Sequence, residues 1–191
     1  ARDRFSVDLD RNAAIDFEAA DKRIVRLRYE PTILPREAAR GMDSLYRGNS
    51  ASPWTPDIVL EILAPSANLR DYRLAYAAVI DAKYTTVANV WDRLQKVEKY
   101  REIRSVDTDS QIARQVWVAA PVAPSLQPRD EAVTWSESGE VGANPFDVIL
   151  GVIGADPADR DQSGAVLKAF VLGLLSHSRE YERATHRKDH D

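Results

Sequence analysis

The hydrophobic positions of the chain follow two different periods, which predict strands in one part and helices in another. The segments DIVLEIL (57–63) and YRLAYAAVIDAKYTT (72–86) are rich in β-branched and apolar residues, and the turn residues of APSANLRD (64–71) separate them. This order predicts two antiparallel strands joined by a turn. A third segment, RQVWVAAPV (114–122), is continuously apolar, which is typical of a strand covered on both faces.

Two other segments have the period of a helix. The segment GAVLKAFVLGLLSHSREYERA (164–184) predicts an amphipathic helix near the end of the chain, and the segment 87–105 predicts another. In the latter, apolar residues recur at spacings of three and four: Val87, Val90, Trp91, Leu94 and Val97. The segment 6–33 predicts one or two strands around a turn, whereas NPFDVILGVIG (144–154) fits either a strand or a helix. We therefore predict one α/β domain over residues 1–191, with a mixed sheet flanked by helices.

Composition and charge narrow the possible classes of protein. The 191 residues are 44% hydrophobic and 29% charged, which is typical of a globular domain, and no apolar run approaches the roughly 18 residues of a membrane helix. The absence of cysteine excludes disulfides and thiolate metal sites, and it favours a cytoplasmic protein. The net charge of −4 argues against broad nonspecific attraction to nucleic acid. Because the chain begins with Ala1 and its one methionine is Met42, we expect a domain of a larger protein.

Candidate chemistry lies in the two strands around the predicted turn. Side chains alternate between the faces of a strand, so Asp81 and Lys83 are expected on the same face. Asp57 opens the preceding strand, and an antiparallel pairing brings it close to Asp81. Two neighbouring carboxylates repel each other unless a cation lies between them. A magnesium ion suits this pair, because Mg²⁺ prefers oxygen ligands and often binds one or two carboxylates together with a substrate phosphate.

These residues carry a resemblance to a known superfamily. The pairs Pro56-Asp57 and Asp81-Ala82-Lys83 resemble the two halves of the PD-(D/E)xK nuclease signature, and the wider text PDIVLEI…VIDAKYT is similar to McrC-type nuclease domains. The segment KVEKYRE (96–102) extends the similarity into the following helix. The resemblance implies a restriction-endonuclease-like fold with an αβββαβ core, in which the acidic residues lie at one edge of the central sheet.

The resemblance also implies a role for each site residue. Asp57 and Asp81 would hold Mg²⁺ or Mn²⁺, with the carbonyl of Ala82 as a further ligand, and Lys83 would assist the attacking water. Lys96 and Tyr100, which an ideal helix would place together opposite the apolar stripe, would position the phosphate or Lys83. The superfamily often adds a glutamate from an upstream helix, and this sequence does not identify it; the candidates are Glu18, Glu30 and Glu61.

The expected function is metal-dependent hydrolysis of phosphodiester bonds in DNA, within a prokaryotic restriction or antiviral defence system. The expected partners are DNA and other domains or subunits that supply target recognition, with a homodimer also compatible and no membrane. The alternative is a catalytically degenerate nuclease fold that serves as a nucleic-acid-binding or assembly module. The unlocated third acid motivates this alternative.

Overall fold

The chain folds into an α/β architecture built on a mixed sheet. The computed structural model describes residues 9–39, 45–47, 51–65, 72–83, 85, 89–106, 109–121, 132–135, 149–156 and 158–188. Its strands are β1 (Ala14–Glu18), β2 (Ile24–Tyr29), β3 (Leu45–Arg47), β4 (Ile58–Pro65), β5 (Tyr72–Ala82), β6 (Ile103–Ser105), β7 (Ala113–Ala120), β8 (Ala132–Trp135) and β9 (Ile149–Gly154). Its helices are α1 (Val90–Val97) and α2 (Arg160–Lys188), and a 3₁₀ helix (Glu98–Glu102) follows α1.

Seven of these strands form the main sheet, in the order β1-β2-β4-β5-β7-β9-β8. The first four are antiparallel neighbours, whereas β5, β7, β9 and β8 run parallel to one another. The change from antiparallel to parallel pairing falls at β5, and α1 lies in the connection from β5 to β7. Strands β3 and β6 form a separate two-stranded pair. The prediction of a mixed sheet with helical cover is therefore confirmed at the level of an α/β fold.

Each face of the central sheet is buried against one helix. Val59 and Val79 lie on the α1 side, where they pack with Val90, Leu94 and Val97. On the α2 side, a second cluster joins sheet residues to the helix residues Val166, Phe170 and Leu174; its sheet members include Ile62, Tyr76 and Trp117. Burial on both faces explains why β5 and β7 are apolar at nearly every position, rather than at every second one.

One close contact fixes the packing between β9 and β7. Gly151 pairs with Trp117 across the parallel strands, and a Cβ atom at Gly151 would overlap the indole ring of Trp117. The indole N–H donates a hydrogen bond to Gln115 Oε1 at 3.0 Å, and Gln115 Nε2 donates to the Tyr76 hydroxyl at 3.1 Å. These bonds satisfy polar groups that would be costly to bury alone.

The structure resolves one open prediction and corrects another. The apolar run within 144–154 contains strand β9, whose backbone groups pair with those of β7. The single helix predicted over 87–105 is wrong, because α1 ends at Val97 and Ile103–Ser105 belongs to β6. Val87, which began the predicted apolar stripe, lies outside the described residues. In the part of the chain that the structure describes, the helices are too short or too polar to cross a bilayer.

Candidate metal-dependent hydrolytic site

Asp57 and Asp81 lie at the adjacent ends of two central strands. Ile58 pairs with Ile80 in the antiparallel ladder, so one step further out Asp57 comes opposite Asp81. Both side chains project to the α1 side of the sheet. Val59, two residues after Asp57, and Val79, two residues before Asp81, lie on the same face. The Asp81 side chain retains 5% of its accessible surface and that of Asp57 retains 34%. One acid is therefore almost enclosed, while the other opens to solvent.

Lys83 completes the cluster and contacts both acids. Its Nζ atom is 2.6 Å from Asp81 Oδ2 and 3.6 Å from Asp57 Oδ2. Asp57 Oδ2 also accepts a hydrogen bond of 2.7 Å from the backbone N–H of Ala82. The Lys83 N–H donates to the carbonyl of Ala119 at 2.8 Å, which continues the pairing with β7 beyond the end of β5. This strand geometry places Asp81 and Lys83 on one face, as their spacing predicts.

The electrostatics of the cluster follow from burial and from the charges in contact. Burial is the main cause that raises the pKa of Asp81, and the negative charge of Asp57 raises it further, against the opposing effect of Lys83. Burial alone would lower the pKa of Lys83, but its hydrogen bond to Asp81 and the charges of both acids outweigh burial and raise that pKa. The ammonium therefore stays protonated at neutral pH.

The predicted pairing of Lys96 and Tyr100 on one polar helix face is wrong. The helix tightens to 3₁₀ geometry after Val97, and residues three apart in such a helix eclipse each other, so Tyr100 takes the direction of Val97. Tyr100 is consequently buried and packs in the core on the α1 side, while Lys96 is exposed on α1. Burial, followed by the negative charges of Asp81 and Asp57, raises the pKa of Tyr100, whose ring lies on the side of the sheet that the two acids face.

Two residues that sequence reasoning missed lie against Tyr100. The ring of Trp54 meets that of Tyr100 edge to face, with centroids 5.7 Å apart. Lys99 Nζ lies 5.1 Å from the Tyr100 centroid and 5.8 Å from that of Trp54. Backbone hydrogen bonds between Trp54 and Ile33 hold this part of the chain in place. Trp54 lies three residues before Asp57 in the sequence, and this proximity could have identified it as a neighbour of the site. No pattern in the sequence predicts the 3₁₀ turn that orients Lys99.

Glu18 and Glu30, two of the candidates for a third acid, have other partners. Glu18 lies on β1 and contacts Lys22 at 2.7 Å. The Glu30 carboxylate contacts Arg11 at 2.7 Å, although its backbone N–H donates to the carbonyl of Asp57 at 2.8 Å. Glu30 therefore neighbours the site through its main chain, while its side chain is held by an arginine.

Glu61, the remaining candidate, is fully buried on β4. It faces the same side of the sheet as Asp57, but four residues along a strand separate the two by about 13 Å. Arg28 Nε lies 2.8 Å from Glu61 Oε1, and Arg26 Nη1 lies 4.0 Å from Oε2. These contacts explain how a carboxylate can be enclosed here. Within the described residues, no group of three or more acidic or histidine side chains is arranged to hold a metal ion.

The donor atoms of the cluster fit a hard divalent cation. Asp57 and Asp81 offer carboxylate oxygens, and the carbonyl of Ala82, the residue after Asp81, offers another oxygen. Burial is the main cause of the raised pKa of Asp81 and the charge of Asp57 adds to it, and a cation bound between the two acids would favour their charged forms. Comparisons with family models, with curated proteins and with solved structures find no match to this chain.

Proposed function

We propose that this chain is a metal-dependent endonuclease of the PD-(D/E)xK type that hydrolyses phosphodiester bonds of DNA. The observation that carries the proposal is the convergence of Asp57, Asp81 and Lys83 at the ends of two adjacent strands. The order β2, β4, β5, α1, β7 supports it, since it matches the βββαβ part of a restriction-endonuclease-like core. The described residues before β2 contain β1 and no helix, so the first helix of such a core has no counterpart among them.

In this proposal, Asp57, Asp81 and the carbonyl of Ala82 hold Mg²⁺ or Mn²⁺. When bound, the cation supplies a water of lowered pKa and neutralises charge on the phosphate. The two acids differ in exposure, with Asp57 on the open side and Asp81 on the enclosed side of the cluster. Asp57 is further anchored by the Ala82 N–H, which fixes one carboxylate oxygen toward the backbone of β5.

Lys83 acts as a positive charge and hydrogen-bond donor, and not as a base. A lysine has to lose its proton before it can act as a base, and the raised pKa of Lys83 keeps it protonated. Its three N–H groups are able to orient the attacking water and to stabilise the extra negative charge that develops on the phosphate oxygens. Tyr100 likewise keeps its proton, because burial and the nearby acids raise its pKa.

Lys99 extends the positive charge away from the acids. Its ammonium lies over the rings of Tyr100 and Trp54, and Tyr100 is buried on the α1 side of the sheet, which the two acids also face. In this position Lys99 contacts a phosphate group that is adjacent to the scissile phosphate in the DNA strand. The sequence pattern proposed Lys96 for phosphate positioning, whereas Lys99 is the lysine that lies over the rings of Tyr100 and Trp54 on the α1 side.

The biological setting is also part of the proposal. The chain acts in the cytoplasm within a prokaryotic restriction or defence system, and other domains or subunits supply target recognition. Its net charge of −4 supports this division of labour, because a domain that binds DNA tightly by itself usually carries a concentrated positive charge. A homodimer is compatible with the same activity.

A second function is favoured by one observation. In the part of the chain described, no carboxylate of Glu18, Glu30 or Glu61 contacts the carboxylates of the acidic pair, and each has a basic partner. A nuclease fold with an incomplete set of acids would bind nucleic acid or assemble with partners without cutting. This second candidate predicts a folded chain that leaves plasmid DNA intact in every divalent metal tested.

Plasmid nicking in Mg²⁺ or Mn²⁺ tests the first candidate against the second. We expect wild-type cleavage that EDTA abolishes, and a loss of about 100-fold or more in Lys83→Ala and Asp81→Ala, in line with the removal of one preorganised electrostatic group. Lys22→Ala is the matched control, since Lys22 is an exposed lysine paired with Glu18 on β1 and its loss should leave cleavage unchanged. Cleavage that survives EDTA, or that is equal in Lys83→Ala and Lys22→Ala, would contradict the proposed mechanism.

A further inference from the structure

A groove rich in arginine lies at the opposite end of the sheet from the acidic pair. It encloses a volume of about 530 Å³ between the C-terminal half of α2 and the ends of β2, β4 and β5. Its lining residues are Asp21, Arg23, Ala64, Pro65, Arg73, Arg179, Glu182 and Arg183. Asp57 precedes the first residue of β4 and Pro65 is the last, so about 26 Å of strand separates the two regions. The groove also lies on the α2 side, whereas the acids face α1.

The arginines of the groove are joined by shared carboxylates. Asp21 Oδ2 contacts Arg179 at 2.7 Å and Arg23 at 3.4 Å. Glu182 contacts Arg73 at 2.7 Å through Oε1, and it contacts Arg23 through Oε2. The result is a row that alternates in sign, with Arg179 at one end, Arg23 in the middle and Arg73 at the other end.

The groove as a whole carries an excess of positive charge. Four arginines and two carboxylates line the groove, an excess of two positive charges in a chain whose net charge is −4. The middle residue Arg23 retains 11% of its side-chain surface, whereas Arg73 and Arg179 retain 49% and 42%. The buried guanidinium therefore ties α2 to the sheet, and the two half-exposed guanidinium groups face solvent from positions fixed by Glu182 and Asp21.

We propose that this groove binds a ligand that carries two or more phosphate groups, at a site separate from the acidic pair. Arginine suits phosphate because its planar, multiply donating guanidinium pairs with two oxygens at once, and carboxylate partners that hold it in place reduce the entropy lost on binding. Two such groups at opposite ends of one row, with Arg183 also on the wall, match separate phosphates of one ligand. The volume is within the range of small-molecule sites. The phosphates belong either to a nucleic-acid strand or to a free oligophosphate compound.

Binding of two probes, measured in EDTA so that the acidic pair holds no cation, tests the proposal. The probes are sodium tripolyphosphate, followed by calorimetry, and a fluorescent single-stranded oligonucleotide, followed by anisotropy. We expect the double variant Arg73→Ala/Arg179→Ala to bind about tenfold or more weakly, since charge-assisted hydrogen bonds to phosphate are among the strong ones. The control is Arg36→Ala/Arg104→Ala, which removes the same charge from arginines that contact Asp109 elsewhere.

The possible outcomes distinguish the two sources of the ligand from each other, and they also distinguish both from failure of the proposal. Weaker binding of both probes in the groove variant alone supports a nucleic-acid strand, and weaker binding of tripolyphosphate alone supports a free oligophosphate. Absence of wild-type binding, or equal losses in the groove and control variants, would overturn the site. Should the double variant unfold on heating below the assay temperature, Arg183→Glu replaces it, because Arg183 is an exposed groove residue and charge reversal there should also weaken binding about tenfold. None of these binding measurements depends on nuclease activity.

Discussion

The carboxylates of Asp57 and Asp81 lie side by side at the ends of neighbouring antiparallel strands, and the ammonium of Lys83 contacts both. The distances from Lys83 Nζ are 3.6 Å to Asp57 Oδ2 and 2.6 Å to Asp81 Oδ2. One cation thus holds two acids that would otherwise repel each other, and the pKa of Asp81 remains raised in spite of it. Burial is the main cause of this raised pKa and the charge of Asp57 adds to it, so the charge state of Asp81 is expected to change with pH above the range of an ordinary aspartate.

The raised pKa of Asp81 predicts how stability changes with pH. A carboxyl whose pKa is higher in the folded chain stabilises the fold fully below its unfolded value of 3.8, and that contribution is lost as the pH rises through the folded value. The Asp81→Asn variant has no carboxyl group to ionise at this position. The melting temperature of the variant minus that of the wild type should therefore increase from about pH 4 to pH 7. The raised pKa of Lys83 acts only above its unfolded value of 10.5, outside this range.

Asp16→Asn provides a control of opposite sign for this experiment. The hydrogen bond from Arg26 is the main cause that lowers the pKa of Asp16, so the stability it contributes is present above 3.8 and is lost as the pH falls through the folded value. The melting temperature of Asp16→Asn should therefore fall behind that of the wild type as the pH rises to about 5, and the difference should then stay constant up to pH 7. If the two variants follow parallel curves, the electrostatic description of Asp81 is incorrect.

The 3₁₀ turn after α1 predicts that Lys99 matters more than Lys96 for DNA cleavage. Lys99 lies over the rings of Tyr100 and Trp54 on the side of the sheet that the acids face, whereas Lys96 is exposed on α1. Lys99→Ala should lower kcat/KM about tenfold, the size of one charge-assisted phosphate contact, and Lys96→Ala should change it less than about twofold. Steady-state kinetics on a plasmid or duplex substrate measures both. A larger loss in Lys96→Ala would favour the role that the sequence pattern assigns to that residue.

The buried ion pair of Glu61 predicts a structural role for this acid. Removal of the carboxylate in Glu61→Ala would leave Arg28 without its 2.8 Å partner in the sheet, and loss of one member of a buried pair costs about 3–5 kcal/mol. Chemical denaturation measures this loss in the free energy of unfolding. Glu61→Gln, which keeps the shape of the side chain, should bind Mn²⁺ as the wild type does. A folded Glu61→Gln that fails to bind the metal would identify Glu61 as the third acid.

Two glycines form a matched pair that tests the packing of the sheet. A methyl group at Gly151 would overlap the ring of Trp117, so Gly151→Ala should destabilise the fold by about 1–3 kcal/mol or more. Gly164 lies inside α2 with open space around it, so Gly164→Ala should stabilise the fold by about 0.5–1 kcal/mol. Denaturant titrations of both variants give the two signs. A neutral Gly151→Ala would show that β9 does not pack on Trp117 as described.

The part of the fold that local sequence determines was predictable. Strands β4 and β5 carry β-branched and apolar residues on either side of turn residues, and their pairing brings Asp57 opposite Asp81. The common face of Asp81 and Lys83 follows from the alternation of side chains along a strand. These features depend on periodicity and on short connections, both of which can be read directly from a sequence.

The features that depend on distant parts of the chain were not predictable. Tyr100 turns into the core because the helix tightens at a point where β6 and β7 must follow, and no residue near it signals that change. The apolar run of β9 is equally compatible with a buried helix until β7 supplies its pairing partner. Glu61 is enclosed because Arg28 reaches it from β2, thirty-three positions earlier in the chain. For β9 and Glu61 the deciding partner is about thirty positions away in the chain.

Binding of Mn²⁺ tests the metal site most directly, by electron paramagnetic resonance of the free ion in the presence of the wild type, Asp57→Asn, Asp81→Asn and Lys22→Ala. We predict that the wild type and Lys22→Ala remove Mn²⁺ from solution with equal affinity, and that each Asp→Asn variant binds about tenfold or more weakly, because each loses one of the two charged oxygen ligands. Equal binding by all four proteins, or none by the folded wild type, would contradict a divalent cation site at Asp57 and Asp81.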